Sequence, residues 1–340
     1  MNFFAGVDIV KETIYIFSSG ELMRKDNSLF FVTEQGEKKH IPVENVKEIM
    51  VFGEINLNKK LLEFLSQKEI ILSVFNYYGF YMGSFYPRTH NNSGFIILKQ
   101  AEHYLDYGKR LVLARKLVEG AIKNELTVMK YYNRRGRELS EHISRLESRL
   151  LELNDCSDIP RLMQKEADAK KYYYDSFNII INSEDFEFKK RTKRPPKDKL
   201  NALISFSNSL IYSITLREIY STHLDPRIGF LHETNFRRFS LNLDISEIFK
   251  PIIGDRAIFQ VVNKGILKDS DFDELGEKTY LSDKGKMKFL EVLEQKLNET
   301  IKPKKLGKQV SYRTLIRMEL YKIEKHIMGE EDYEPFIMEW

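Results

Sequence analysis

A single cysteine, Cys156, stands in the 340-residue chain, which excludes an internal disulfide and any zinc or iron–sulfur site built from several thiolates. Its expected role is packing. Long apolar runs are also missing: none approaches the roughly 20 residues that a membrane-spanning helix requires. The opening MNFFAGVDIV has no basic segment of the kind that starts an export signal, so the expected compartment is a reducing cytoplasm, away from any membrane. Charge of one sign is not in excess either. Lys and Arg number 54 against 50 Asp and Glu, and a net +4 is too small to identify a nucleic-acid binder by itself. No internal repeat or low-complexity segment is present.

What the chain does have is enough apolar residues, 42%, for the cores of about two domains. Up to Tyr86 they come in short runs, Ile14–Phe17, Leu29–Val32, Ile49–Phe52, Ile70–Phe75 and Phe80–Tyr86, which predict strands. Turn residues at 25–28 and 76–79 predict hairpins, and only Leu57 to Leu65 has helical spacing. The polar PRTHNNSG at 87–94 marks a boundary. Beyond it, Leu105, Val112, Leu117, Ile122, Leu126 and Met129 recur at threes and fours in one long amphipathic pattern. Further helical patterns follow at Leu139–Leu153, about Ile159–Ile181, Leu200–Thr222, Leu281–Leu297 and Tyr312–Ile327. The expected architecture is α+β: a sandwich-like β domain over 1–86, a linker over 87–97 and a larger α-helical catalytic domain over 98–340.

The richest chemistry lies between Asp225 and Pro251. His232, Asp244 and Glu247 are candidate ligands there, and Arg227, Arg237, Arg238 and Lys250 are cations suited to a phosphodiester. Asp244 and Glu247 are three apart, so a helix through Leu243–Phe249 places both carboxylates on one face, where like charges call for a cation. Glu166, in line with Leu162, Ala169, Tyr173 and Ile180, aims a carboxylate at apolar neighbours, which is costly unless it is paired or coordinating. With one imidazole and mostly oxygen donors, the set favours Mn²⁺ or Mg²⁺ over structural zinc. Plainer readings stand beside this one: a half-exposed Glu166 bonded to Lys165 or Lys170, and a solvated acidic pair. The segment KKRTKRPPKDK at 189–199, with Lys190, Arg191 and Arg194, is either a solvated loop or a track for a phosphate backbone.

Several long words occur in an order that resembles the CRISPR-associated adaptation integrases, the first of the universal Cas proteins. They are RPPKDKLNALISFSNSLIYS at 194–213, LDPRIGFLH at 224–232 and SLNLDISEIFKPIIGDR at 240–256, supported by VENVKEIMVFG, LMQKEADAKKYYYDSF and the closing YEPFIMEW. The resemblance spans nearly the whole chain. It implies a metal-dependent DNA endonuclease and integrase whose helix glutamate falls on Glu166, its histidine on His232 and its later acidic positions on Asp244 and Glu247. Glu247 stands where the family often has Asp, which lengthens the reach by one methylene. The resemblance further implies a homodimer formed through the β domains, paired with a small ferredoxin-like CRISPR-associated protein. That assembly holds a duplex spacer precursor whose 3′ hydroxyl attacks a phosphodiester of the CRISPR repeat. Arg227, Arg237, Arg238, Lys250, Lys190, Arg191 and Arg194 become candidate DNA contacts. Two other functions fit the same residues: a noncatalytic DNA-binding scaffold with structural carboxylates, and a metal hydrolase of a small phosphorylated substrate.

Overall fold

The computed structural model describes residues 7–10 (backbone only), 13–44, 46–88, 91, 93–181, 183–234, 239–303 and 307–340, and it divides into two compact units, 1–90 and 91–340. In the first unit the short apolar runs are strands. In chain order they are β1 (Val7–Val10), β2 (Thr13–Ile16), β3 (Gly20–Lys25), β4 (Ser28–Thr33), β5 (Lys38–Ile41), β6 (Glu48–Val51), β7 (Ile55–Asn56), helix α1 (Lys59–Gln67), β8 (Ile71–Phe75) and β9 (Tyr81–Phe85). They build a five-stranded sheet, β1-β2-β6-β8-β9, and a four-stranded one, β5-β4-β3-β7. Strands β2, β6 and β8 pair in parallel, and β2 and β6 are buried along their whole length, as parallel strands covered on both faces should be. Strand β4 alternates instead, sending Leu29 and Phe31 inward. One core joins both sheets to α1 through Ile14, Phe31, Ile49 and Phe64. The β3–β4 hairpin turns on Asp26 and Asn27, with Asp26 at φ 55°, a left-handed conformation that Asp tolerates.

The second unit is mostly helical: α2 (Gly94–Leu105), α3 (Tyr107–Asn133), α4 (Ser140–Leu151), α5 (Ile159–Asp175), α6 (Phe177–Ile181), α7 (Lys199–Tyr220), α8 (Ser240–Phe249), a π-helical turn Lys250–Asp255, α9 (Arg256–Asn263), the hairpin β10 (Phe272–Leu275) and β11 (Lys278–Leu281), α10 (Asp283–Asn298), the short pair β12 (Thr300–Ile301) and β13 (Val310–Ser311), and α11 (Tyr312–Ile327). Three expectations are refined. The long pattern through 98–129 is two helices, because Asp106 turns its carboxylate back to cap α3 by accepting from the Lys109 amide at 3.0 Å. Helix α2 starts at Gly94, inside the stretch expected to be linker, with Ser93 as its cap. The helix expected over 159–181 breaks at Ser176 between α5 and α6.

Helix α8 carries the acidic pair and packs on both α3 and α7, while α5 lies along α3. Pro251 has no amide hydrogen to continue the α8 ladder, and the backbone widens there into the π turn. Gly254 closes that turn onto α7, where a Cβ would stand 2.6 Å from Ser207 Oγ. The tail from Tyr333 to Trp340 is tied down. Asn124 of α3 donates to Ile248 O (3.0 Å) and Phe336 O (2.9 Å) and accepts from the Met338 amide (2.8 Å). Buried Glu319 of α11 accepts from Tyr333 OH at 2.5 Å and from the Phe336 amide at 3.0 Å. The Arg256 guanidinium lies 4.3 Å from the centroid of the Trp340 ring. Cys156 is buried, as its packing role requires. Among the described residues no helix is long and apolar enough to cross a membrane.

Candidate active site

The site is assembled from the loop that precedes α8. Gln100 of α2 grips this loop three times: its Nε2 donates to Asp225 O (3.0 Å) and Ile228 O (2.6 Å), and its Oε1 accepts from the Asp225 amide (2.8 Å). Arg110 of α3 donates to Phe230 O at 2.8 Å. Ser240, the first residue of α8, donates to Arg227 O (2.6 Å) and accepts from the Gly229 amide (2.8 Å), drawing the loop across the start of the helix. Gly229 is obligatory at that crossing. A Cβ there would stand 2.6 Å from the carbonyl carbon of Ser240 and 2.7 Å from Asp244 Oδ2.

Asp244 occupies the cradle so formed. Its Oδ2 accepts from the amides of Phe230 (2.6 Å) and Leu231 (3.1 Å), and its Oδ1 from the amide (3.0 Å) and the ring Nδ1 (2.8 Å) of His232. The side chain is fully buried, and four donors saturate two oxygens. A hydrogen on Nδ1 leaves Nε2 as the lone-pair nitrogen of a neutral imidazole, the arrangement found where a carboxylate orients a metal-binding histidine. Burial lowers the His232 pKa, but the hydrogen bond and charge of Asp244 outweigh it and raise the net value, with Glu166 and Glu247 adding to the rise.

Glu166, near the middle of α5, and Glu247, on α8, act on each other and on the imidazole. Burial first, and then the charge of Glu247, push the Glu166 pKa up to about 7. Burial would raise Glu247 as well, yet Lys250 and Lys170 hold it well below the usual carboxylate range. Both ammoniums bond it: Lys250 on Oε1, and Lys170 on Oε2 at 3.1 Å. The plainer alternative, Glu166 bonded to Lys165 or Lys170, is set aside because both lysines are bonded to other acids. Lys165 bonds Glu152, and Lys170 turns to Glu247 and to Glu125 of α3 at 2.8 Å. As these side chains stand, no three His, Cys, Asp or Glu among the described residues close around a common point suited to an ion. The oxygens of Asp244 are spent on the loop, and those of Glu247 on two lysines.

The basic residues divide. Arg227 is exposed but forks onto Asp225, with contacts of 2.5–3.2 Å, and Lys250 is buried against Glu247. Arg191 points inward, donating to Asn201 Oδ1 (2.8 Å) and Ser205 Oγ (3.1 Å), and its burial lowers its pKa. It pins the basic segment to α7 and has little left for a phosphate. Lys190 and Arg194 remain exposed. Arg237 and Arg238 lie outside the described residues. Sequence reasoning passed over Gln100, Glu125 and Lys170 as site residues. Glu125 carried a signal, since it falls on the face of α3 that also presents Ile122 and Val128, where an acid is costly without a partner.

Comparison with known proteins supplies the family. The model of the family described as CRISPR associated protein Cas1 matches residues 14–295. A CRISPR-associated endonuclease Cas1 of Thermodesulfovibrio yellowstonii is 59% identical over 331 residues, 97% of this chain and all of that protein. A solved structure of a Cas1 protein from Thermotoga maritima superposes with a TM-score of 0.84 at 47% identity, covering 96% of this chain and 100% of that one. Two more distant structures, each 18% identical, share the fold. One is a casposase bound to its integration product, with a TM-score of 0.85, covering 96% of this chain and 93% of that one. The other is a Cas6-RT-Cas1–Cas2 complex, with a TM-score of 0.82, covering 97% of this chain and 36% of that one. With a matched model over most of its length and a relative this similar end to end, the chain belongs to the Cas1 family of CRISPR-associated endonucleases.

Proposed function

We propose that the protein is a divalent-metal-dependent DNA integrase of CRISPR adaptation, and that Glu166, His232 and Glu247 hold its Mn²⁺ or Mg²⁺. The observation that carries this reading is the cradle of Asp244. Four hydrogen bonds commit that carboxylate to orienting His232 and leave the imidazole Nε2 as a donor beside two half-buried, mutually repelling glutamates. Such a set fits a hard or borderline dication, and two lysines now balance its charge. Asp244 is thus a positioning residue and not the fourth ligand. Glu247 reaches the site with a longer, swivelling side chain than an Asp has. A bound ion would supply Lewis-acid polarisation of the phosphodiester and charge neutralisation.

Strand joining then needs what the chain provides around that point. A DNA 3′ hydroxyl forms a new phosphorus–oxygen bond at the repeat as the existing one breaks, so energy is conserved and no nucleotide cofactor or covalent enzyme intermediate is required. Lys190 and Arg194, on the exposed part of the basic segment, are the contacts we assign to the duplex, and Arg227 can join them only by leaving Asp225. For the homodimer, the β8–β9 hairpin offers an exposed apolar set, Val74, Tyr77, Tyr78 and Met82, beside the edge strand β9. The Cas2-containing complex and the casposase bound to an integration product support a Cas2-type partner and DNA as the working assembly, and the cytoplasm is the compartment that goes with this reading.

The test is joining of a linear duplex to a supercoiled, repeat-bearing plasmid in the presence of the partner and Mn²⁺. Wild type should give metal-dependent joined and nicked products, and Glu166→Ala should give neither. Equal behaviour of the two overturns the proposal. One observation favours a second reading, a noncatalytic DNA-binding scaffold: Glu247 is already neutralised by Lys170 and Lys250. That reading requires His232→Ala to match wild type in every assay.

A further inference from the structure

The two lysines on Glu247 raise a question of succession. If Glu247 takes an ion together with Glu166 and His232, the dication and the two ammoniums compete for one carboxylate, and their mutual repulsion favours release of an ammonium. Lys250 lies at the end of α8, three residues from Glu247, and is tied to it locally. Lys170 is different. It comes from another helix, α5, with its side chain 18% exposed and the rings of Tyr173 and Tyr174 at 5.6 and 5.8 Å. Its ammonium bridges two carboxylates, Glu247 Oε2 at 3.1 Å and Glu125 Oε1 at 2.8 Å.

Glu125 is built to receive that ammonium entirely. Its side chain is 3% exposed, it projects from the centre of α3, and its second oxygen, Oε2, is buried with no hydrogen-bond partner. A buried carboxylate oxygen left open is costly in a folded protein unless something arrives to use it. Asp255, on the π turn, also lies within electrostatic reach of Lys170, and its Oδ2 is likewise buried and open. Open acceptor oxygens on two further carboxyl groups therefore lie around Lys170 in addition to Glu247.

We propose that Glu125 is a positioning residue for the metal site, which retains the Lys170 ammonium when Glu247 turns to the ion and so removes an internal competitor from the ligand. The proposal rests on the metal reading given above. In the ion-free state Lys170 closes the site by bridging the two glutamates. In the loaded state it stays buried on Glu125, so no lysine has to be expelled into solvent and no charge is left unpaired in the interior.

The test measures Mn²⁺ affinity of the full-length protein without DNA, from the free-ion signal in electron paramagnetic resonance, with thermal unfolding followed in parallel. His232→Ala should abolish the tight site. If it binds as wild type does, the metal reading fails and this inference with it. Glu125→Gln keeps the shape and removes the charge, leaving Lys170 on Glu247, so the Kd for Mn²⁺ should rise about 10-fold to 100-fold, the usual scale for groups that support ligands. The double variant Glu125→Gln, Lys170→Met removes the competitor as well and should bring Kd back to within about threefold of wild type. A merely structural Glu125 predicts weak binding in both variants, and an unchanged Kd in Glu125→Gln denies any role, so either result overturns the proposal. Should Glu125→Gln fail to fold, Glu125→Asp keeps the charge at shorter reach and must give a Kd between those of wild type and His232→Ala. A wild-type value there overturns the proposal equally.

Discussion

On the metal reading proposed above, Asp244 governs the site without reaching it. Its four hydrogen bonds shape residues 230–232 and set the orientation of the imidazole. Asp244→Asn replaces one acceptor oxygen with a donor that faces either backbone amides or the imidazole hydrogen, so some of those bonds become repulsive contacts. Mn²⁺ affinity should fall about 10-fold to 100-fold while the folded unit persists, and calorimetric titration of the metal checks this. Arg227 belongs to the same loop and makes a pH prediction. Burial would raise the Asp225 pKa, but the Arg227 side-chain hydrogen bond outweighs it and lowers the net value. A depressed carboxylate contributes stability that is present above its unfolded pKa, near 3.9, and is lost as pH falls through the lower folded value. Arg227→Gln should therefore make the protein slightly less stable than wild type at pH 7, the loss being modest because Arg227 is exposed, and the difference should vanish as pH falls below the folded Asp225 value, as denaturant unfolding followed by circular dichroism at pH 7 and in acid would show.

At the scale of elements, α8 is held by what lies behind it. Asn124 joins Ile248 O of α8 to Phe336 O and the Met338 amide of the tail, so one amide side chain couples the helix bearing Glu247 to the last residues of the chain. Asn124→Ala leaves those groups without their partner, at a cost of about 1–3 kcal/mol for each that stays dry, and denaturant unfolding should show the loss. Much of this scale was legible in the sequence. The strands around Ile14, Leu29, Ile49 and Ile70 and the helices over 159–175, 199–220 and 312–327 followed their periodicity, because burial on one face selects the pattern. What was not legible had a local cause. Strands β3 (GELMRK) and β5 (KKHI) are too polar to be read as strands, and they exist because β4 pairs with both of them. The break between α2 and α3 hangs on one cap, Asp106, inside an unbroken apolar rhythm. The positions proposed as ligands stood out in the sequence as an acid on an apolar face and an acidic pair at helical spacing. The lysines that fill the same space did not, since the choice between Glu166 and Glu125 as the partner of Lys170 is made only when α3, α5 and α8 come together.

For the molecule as a whole, a near-neutral net charge means that attraction to DNA has to be local. Many of its cations are committed to its own acids, as Lys197 is to Glu277 and Lys199 to Asp269. If Lys190 is a phosphate contact, Lys190→Ala should reduce the slope of log affinity against log salt by about one and weaken all duplex sequences alike, as fluorescence anisotropy across salt concentrations would reveal. The two units invite separate engineering, since the core of the first closes on itself through Ile14, Phe31, Ile49 and Phe64. The far end of the chain is another matter. Trp340 meets the Tyr131 ring at a 60° tilt while Arg256 lies over both rings, and the segment before it is sewn to α3 and α11. A fluorescent reporter or purification handle fused after that tryptophan would pull on the support of α8, so inactivity of such a fusion would report a loosened scaffold.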